Sequence, residues 1–194
     1  MAILEADQHV KVIRASIPLR DFPTLLQAHL DGEPTTSEIE QLGANYVAGG
    51  FRSEDTENFV RAVCRWGNYP GVAGKVLKHN DLKFIRDQLQ KAHAKIAASD
   101  PGAAIQSVTS IKCLAVSFGS KHLKFLCPDG AVVLDKIISE RLGYLRTPEG
   151  YVEFLNDCCA IRDVLNEAKI AASKQRPEWR VCDVEMAIFI KLRK

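Results

Sequence analysis

Between Ser110 and Asp135 the chain brings an amine, a carboxylate and a glycine into an order that can do chemistry. Lys121 follows Gly119 by two residues in Ser117-Phe118-Gly119-Ser120-Lys121, and Asp135 closes the apolar run Ala131 to Leu134. A glycine turn leading into a helix exposes unpaired backbone N–H groups at the positive end of the helix dipole, and such groups suit a phosphate. On that reading Gly119 permits close backbone approach, and Ser117, Ser120 and His122 are placed to orient toward an anionic strand. The dipole disfavours a lysine at that end, so Lys121 needs another reason to be there. In a partly desolvated pocket, burial and the dipole together lower an amine's pKa and free it to attack an electrophilic carbon. A nearby carboxylate, Asp135, can stabilise positive charge building at that carbon or shuttle protons. Plainer readings stand beside these: a helix-turn-helix corner for Gly119, a solvated or phosphate-contacting Lys121, and an N-cap role for Asp135.

The elements that must position these groups read as helices. Apolar residues recur at helical spacing almost throughout, and alternating runs long enough for strands are nearly absent, which predicts an all-α fold. Gln8 to Ala15 and Phe22 to Leu30 are expected as short helices, broken by Pro18 and Pro23. Ser37 to Ala48 should end at Gly49-Gly50, and Ser53 or Asp55 should cap Glu57 to Trp66, with a turn at Gly67-Asn68-Tyr69-Pro70. Helices follow at Gly71 to Lys78 and, capped by Asn80 or Asp81, through Ala98. Asp100-Pro101 restarts the pattern, expected to reach about Val116 and to break sharply at Ser117-Phe118-Gly119 before a short helix from Ser120 to Leu126. Lys136 to Leu142, Glu149 to Ala172 and Pro177 to Leu192 complete the helices.

Composition bounds the function classes. With 194 residues, 46% hydrophobic and 26% charged, the chain is ordinary globular material for one domain or two packed lobes. No stretch approaches the roughly 18 uninterrupted apolar residues of a membrane span, and no basic start with an apolar h-region is visible, so a cytoplasmic, nucleoid-associated location is expected. The six cysteines fall mostly in apolar helical patterns and read as reduced, buried thiols rather than disulfides or metal ligands, and no metal site is expected. A net charge of +2 decides nothing, but Lys169, Lys174, Arg176, Arg180, Lys191, Arg193 and Lys194 gather near the C-terminus.

The order of helix, glycine turn, helix, Cys127-Pro128-Asp129-Gly130 loop, apolar run and aspartate resembles the signature of the helix-hairpin-helix DNA glycosylases. Ser117-Phe118-Gly119-Ser120-Lys121 is similar to the hairpin motif Gly-Val-Gly-x-Lys of that family, with serine for the first glycine. Ser120 to Pro128 and Phe59 to Gly67 are similar to segments of compact bacterial proteins related to 8-oxoguanine glycosylase, and the likeness runs from about Thr36 to the C-terminus. The resemblance implies a compact two-lobed helical glycosylase fold, possible lobes 1–99 and 100–194, and the hairpin at about 103–126. It places Lys121 on the family's nucleophilic lysine and Asp135 on its catalytic aspartate. It implies excision of a damaged or modified base flipped out of double-stranded DNA, with a lyase step through a Schiff base on Lys121 as a further option. Only Cys182 lies in the late part of the chain, so no iron–sulfur cluster, and no other cofactor, is expected.

A flipped base calls for an aromatic platform and a few directed polar groups. Phe51, Trp66, Tyr69 and Trp179 are the aromatic candidates, with Arg65, Asn68 and Asp183 as polar partners. Trp66 also lies on an apolar helix stripe that suits core packing, and Asp183 also suits a cap. Lys75, Lys78 and His79 are candidate phosphate contacts. Oxidised guanine and hypermodified bases of foreign DNA are the substrates the resemblance brings forward. A non-catalytic helix-hairpin-helix module is the alternative; it would keep Gly119 and have no use for Lys121 or Asp135.

Overall fold

The first element is a sheet where the pattern of Gln8 to Ala15 predicts a helix. In the computed structural model, which describes residues 2–4, 9–12 and 14–193, β1 (Ala2–Leu4), β2 (His9–Val12) and β3 (Ala15–Pro18) pair antiparallel in the order β1-β2-β3. The register sets Val10 opposite Ile17 and Val12 opposite Ala15. Val10 and Val12 alternate with Lys11 at a period of two, and their β-branched side chains lose rotamer freedom in a helix, so a short run of this kind pairs instead. Gln8 and Ile13 of the predicted helix, and Lys194 of the basic C-terminal segment, lie outside the described residues.

Beyond the sheet and a 3-10 turn at Leu19–Asp21, the regular structure of the described residues is helical. The helices are α1 (Phe22–Gly32), α2 (Thr36–Ala48), α3 (Ser53–Trp66), α4 (Gly71–His79), α5 (Leu82–Ala97), α6 (Pro101–Thr109), α7 (Val116–Leu126), α8 (Lys136–Leu142), α9 (Pro148–Glu167) and α10 (Val181–Arg193). None is long and apolar enough to cross a membrane. The chain divides into a first unit, Met1–Pro34 with Leu134–Lys194, and a second unit, Thr35–Val133. α5 and α6, on the two sides of Ser99 and Asp100, pack on each other within the second unit.

The second unit holds α2 to α7. Tyr46 stacks on Phe59 with ring centroids 5.1 Å apart, and its hydroxyl meets Thr56 Oγ1 at 2.7 Å in the interior. Gly43 lets α2 lie on the backbone of α7, since a Cβ there would come within 2.0 Å of the Phe125 carbonyl oxygen. The sharp break predicted at Ser117-Phe118-Gly119 is not there. α6 stops at Thr109, residues 110–115 make the connection with Cys113 at φ +75°, and the Ser117-Phe118-Gly119 stretch is already helical. Gly119 serves packing: an added Cβ would lie 3.4 Å from methyl groups of Val108 and Thr109 on α6.

The first unit holds the sheet, α1 and α8 to α10. α1 lies along α10, with Phe22 edge-on to Trp179 at 6.0 Å between centroids. Tyr144 donates a 2.5 Å hydrogen bond to Asp157. α9 stops at Glu167 instead of running on to Ala172, and α10 starts at Val181 instead of Pro177. The Asn166 side chain accepts from the Trp179 N–H at 2.9 Å and donates to its carbonyl at 3.4 Å, while Trp179 Nε1 donates to Ile170 O at 2.6 Å. The loop between the helices is thereby tied to the end of α9, with Lys169 at φ +55°. All six cysteines are free thiols, and Cys113 is exposed rather than buried.

Candidate functional site

Lys121 and the turn that ends α3 make one site in the second unit. α3 closes in a Schellman arrangement: the Tyr69 N–H reaches Cys64 O at 3.2 Å and the Asn68 N–H reaches Arg65 O at 2.9 Å, with Asn68 left-handed at φ +66°. Asparagine tolerates that conformation better than most residues. The turn throws Tyr69 outward, 67% exposed, its ring edge-on to Phe118 at 6.3 Å. Arg65 and Asn68 are also exposed. Gly67 gives α7 room: a Cβ there would lie 2.9 Å from the Phe118 ring and 3.0 Å from Lys121 Cδ. Lys121 therefore lays its alkyl stem over the turn backbone and is only 7% exposed. Its Nζ lies 5.0 Å from the centre of the Phe118 ring and 3.5 Å from the Ser117 carbonyl oxygen.

Because α7 begins at Val116, Lys121 stands more than a turn inside the helix, where the dipole has little hold on it. Burial, not a helix terminus, defines its surroundings. Burial also pushes the neighbouring Cys64 thiol up to about 11, against the pull of the Lys121 charge, so this cysteine stays protonated and unreactive. Gly119, read as a point of close backbone approach, and Ser120 and His122, read as facing a strand, are all buried on the core side of α7. The Ser120 hydroxyl donates to Ser117 O at 3.1 Å. His122 is fully buried, its Nδ1 2.7 Å from Phe118 O, and burial pushes its pKa down to about 4. The ring is neutral at physiological pH, so Nδ1–H donates to that carbonyl and Nε2, a buried acceptor, has no hydrogen-bond partner. Ser117 is half-buried in the first turn of α7, which starts from Ala115 with no side-chain cap.

Of the other predicted pocket residues, Trp66 is half-buried and engaged: Nε1 donates to Thr36 Oγ1 at 3.1 Å, and its ring meets Phe125 edge-on at 4.8 Å. The sequence reading passed over Lys124, whose side chain is wholly buried with Nζ 4.6 Å from the Trp66 ring centre and 4.8 Å from that of Phe125. A lysine inside the apolar string Leu123-Lys124-Phe125-Leu126 was the available signal. Phe51 is a core residue, not a pocket wall; it sits at φ +58° against Tyr46 at 4.9 Å and His93 at 5.5 Å.

Asp135, Trp179 and Asp183 belong to the first unit. Asp135 caps α8, accepting from the Ile138 N–H at 3.0 Å, and its carboxylate is half-buried. Trp179 is buried against Phe22 and bonded to Ile170, which leaves no face for a base. Asp183 is fully buried and saturated: Arg176 holds it through both guanidinium nitrogens, and Arg180 through its side chain and its backbone N–H. Burial raises its pKa, but the hydrogen bonds from Arg176 and Arg180 outweigh this and hold the carboxyl below the usual range. A carboxylate with its acceptor sites so occupied does not read a base edge.

Among the described residues no group of three or more His, Cys, Asp or Glu side chains is placed to hold a metal ion. Compared with protein-family models, with curated proteins and with solved structures, the chain matches none of them.

Proposed function

We propose that this chain is a DNA glycosylase that turns a damaged or modified base out of the duplex and cleaves its N-glycosidic bond. The observation that carries the reading is Lys121, 7% exposed and laid over the turn that carries an exposed Tyr69 and a left-handed Asn68, in the segment whose sequence resembles the family's hairpin. A lysine anchored through its stem over Gly67 and the Phe118 ring gives up little entropy on meeting a sugar, which favours nucleophilic use over a solvated role. In the proposed step Lys121, as the neutral amine, attacks C1′; the C1′–N bond breaks, and the base leaves with the bonding pair and takes up a proton; the bound amine loses a proton, and the C1′–O4′ bond then breaks as O4′ takes up a proton and the ring opens, leaving the protonated sugar imine. Asp135 is assigned, on the resemblance, to stabilising the positive charge that develops on the sugar. Its bond to Ile138 N occupies one carboxylate oxygen and is compatible with that task.

The test is incubation with duplexes bearing abasic, 8-oxoguanine and hypermodified-cytosine sites, with and without borohydride. A covalent adduct is expected with the wild-type protein and none with Lys121→Gln, whose base release should fall at least ~100-fold. Asp135→Asn should slow release by a comparable factor. Base release without trapping would move Lys121 to a positioning role and leave Asp135 activating water. Binding without release on any duplex would overturn the enzymatic reading in favour of the non-catalytic module.

A further inference from the structure

The segment between α9 and α10 folds into two arms that are tied to each other at both ends. At the far end the Ala172 N–H donates to Pro177 O at 2.9 Å and the Ser173 N–H to Arg176 O at 3.0 Å, while Ser173 Oγ accepts from the Arg176 N–H at 3.0 Å. At the near end Asn166 holds the Trp179 backbone, and the Trp179 indole holds Ile170 O. Between the ties lies a cleft of about 390 Å³, lined by Asn166, Lys169, Ile170 and Ala171 from the outgoing side and by Pro177 and Glu178 from the returning arm. That volume falls within the roughly 300–1,000 Å³ of small-molecule sites, and walls fixed before a ligand arrives lower the entropy cost of binding it. Lys169 and Glu178 stand on opposite arms, both exposed, and among the described residues neither forms an ion pair with the other or with a third group. Both are nonetheless placed by their backbones. Lys169 is left-handed at φ +55° with its N–H on Asn166 O at 3.0 Å, and the Glu178 carbonyl accepts from Arg176 at 3.0 Å. Ile170, Ala171 and Pro177 add apolar surface to the lining.

We infer that this cleft is a binding site for a small zwitterion with an apolar body, a free α-amino acid. A ligand of one charge is attracted at one wall and repelled at the other, whereas a zwitterion is attracted at both. Lys169 takes the carboxylate, Glu178 takes the ammonium group, and the apolar lining takes the side chain. The site lies wholly in the first unit and has no part in the excision chemistry proposed for Lys121 in the second.

Titration of the full chain with L-leucine, followed by backbone amide NMR shifts, tests the site and locates it in one measurement. Saturable shifts are expected at Lys169, Ile170, Ala171 and Glu178. L-leucinamide, which lacks the carboxylate, and N-acetyl-L-leucine, which lacks the ammonium group, should each bind roughly 3–5-fold more weakly, the scale of one solvent-exposed ion pair. Lys169→Gln should then bind leucine and leucinamide alike while still preferring leucine to N-acetyl-leucine, and Glu178→Gln should show the opposite pattern. Both side chains are exposed, so neither substitution threatens the fold. Absence of saturable shifts at these amides, shifts confined to another part of the chain, or the same preference among the three probes in both variants as in the wild type would overturn the inference. The titration contains no DNA, so each of these results leaves the glycosylase reading where it stood.

Discussion

α7 in the second unit and α10 in the first both bury charge-bearing side chains, and they do so by opposite means. Asp183 on α10 is enclosed completely and answered by two guanidinium groups and a backbone N–H, so its acceptor sites are occupied. On α7, Lys121 and Lys124 set their ammonium groups against aromatic faces, at 5.0 Å from Phe118 and 4.6 Å from Trp66, and His122 keeps one ring nitrogen without a hydrogen bond. A saturated ion cluster is fully committed to holding its own loop in place. A cation over a ring gains about 0.5–2 kcal/mol from that contact. The Asp183 cluster serves the fold, whereas the role proposed above for Lys121 on α7 is chemical, although the sequence offers acids and bases at both places.

A large loss of stability should come from breaking the saturated cluster. Asp183→Ala leaves Arg176 and Arg180 facing each other without their anion and unties residues 168–180, at an expected cost of about 3–4 kcal/mol, near the lower end for a broken buried pair because both arginines reach water. For a chain of this length that is a fall in melting temperature of roughly 10 °C, readable by calorimetry. Retention of wild-type stability would make the two helices alike and remove the contrast. His122 gives the next effect. Its folded value of about 4 lies below the ordinary 6.5, so the unfolded chain binds the proton more readily. The contribution is fully present above pH 6.5 and is lost as pH falls toward 4, by about 2 kcal/mol between pH 6.5 and 5. Urea unfolding across that range should show the slope in the wild-type protein. His122→Asn, which keeps a donor for Phe118 O, should flatten it.

Local signals carried much of the fold. Asp81, Asp100 and Asp135 cap the helices they were expected to cap, and Lys136 to Leu142 forms α8 as predicted, because each start depends on an interaction within three residues. The α6–α7 connection was misplaced for the opposite reason. Gly119 looks like the bend, but the bend is made by residues 110–115, held from Asn80 across 32 positions and using Cys113 where a glycine would be expected. The same holds for the end of α9, which is stopped by bonds from Asn166 to Trp179, thirteen residues on. Lys121, Asn68 and Tyr69 were singled out by local features, a lysine after a glycine and a Gly-Asn-Tyr-Pro turn, and the structure groups them at the end of α3. Gly119, Ser120 and His122 were assigned to the wrong face because that assignment depended on where the helix begins: moving the start to Val116 turns all three inward.

The smallest expected effect on stability belongs to Tyr69, and it sharpens the comparison most. At 67% exposure, touching only the edge of Phe118 among the aromatic rings, Tyr69 contributes little to the core, and Tyr69→Ala should change the unfolding free energy by less than about 0.5 kcal/mol. If the start of α7 works on a base brought out of the duplex, the same substitution removes a stacking surface and should weaken binding to an abasic or mismatched duplex by about 1–3 kcal/mol, roughly 5–150-fold. Tyr69→Phe keeps the ring and should restore most of it. Trp179→Ala is the matched control in the first unit: it deletes a buried ring and its bond to Ile170, so it should cost about 3–5 kcal/mol of stability. Unfolding and binding measured side by side would then separate an aromatic that serves the fold from one that serves a ligand. If Tyr69→Ala bound every duplex as the wild type does, the exposed ring would have no part in the site, and the case for chemistry at α7 would rest on the Lys121 amine alone.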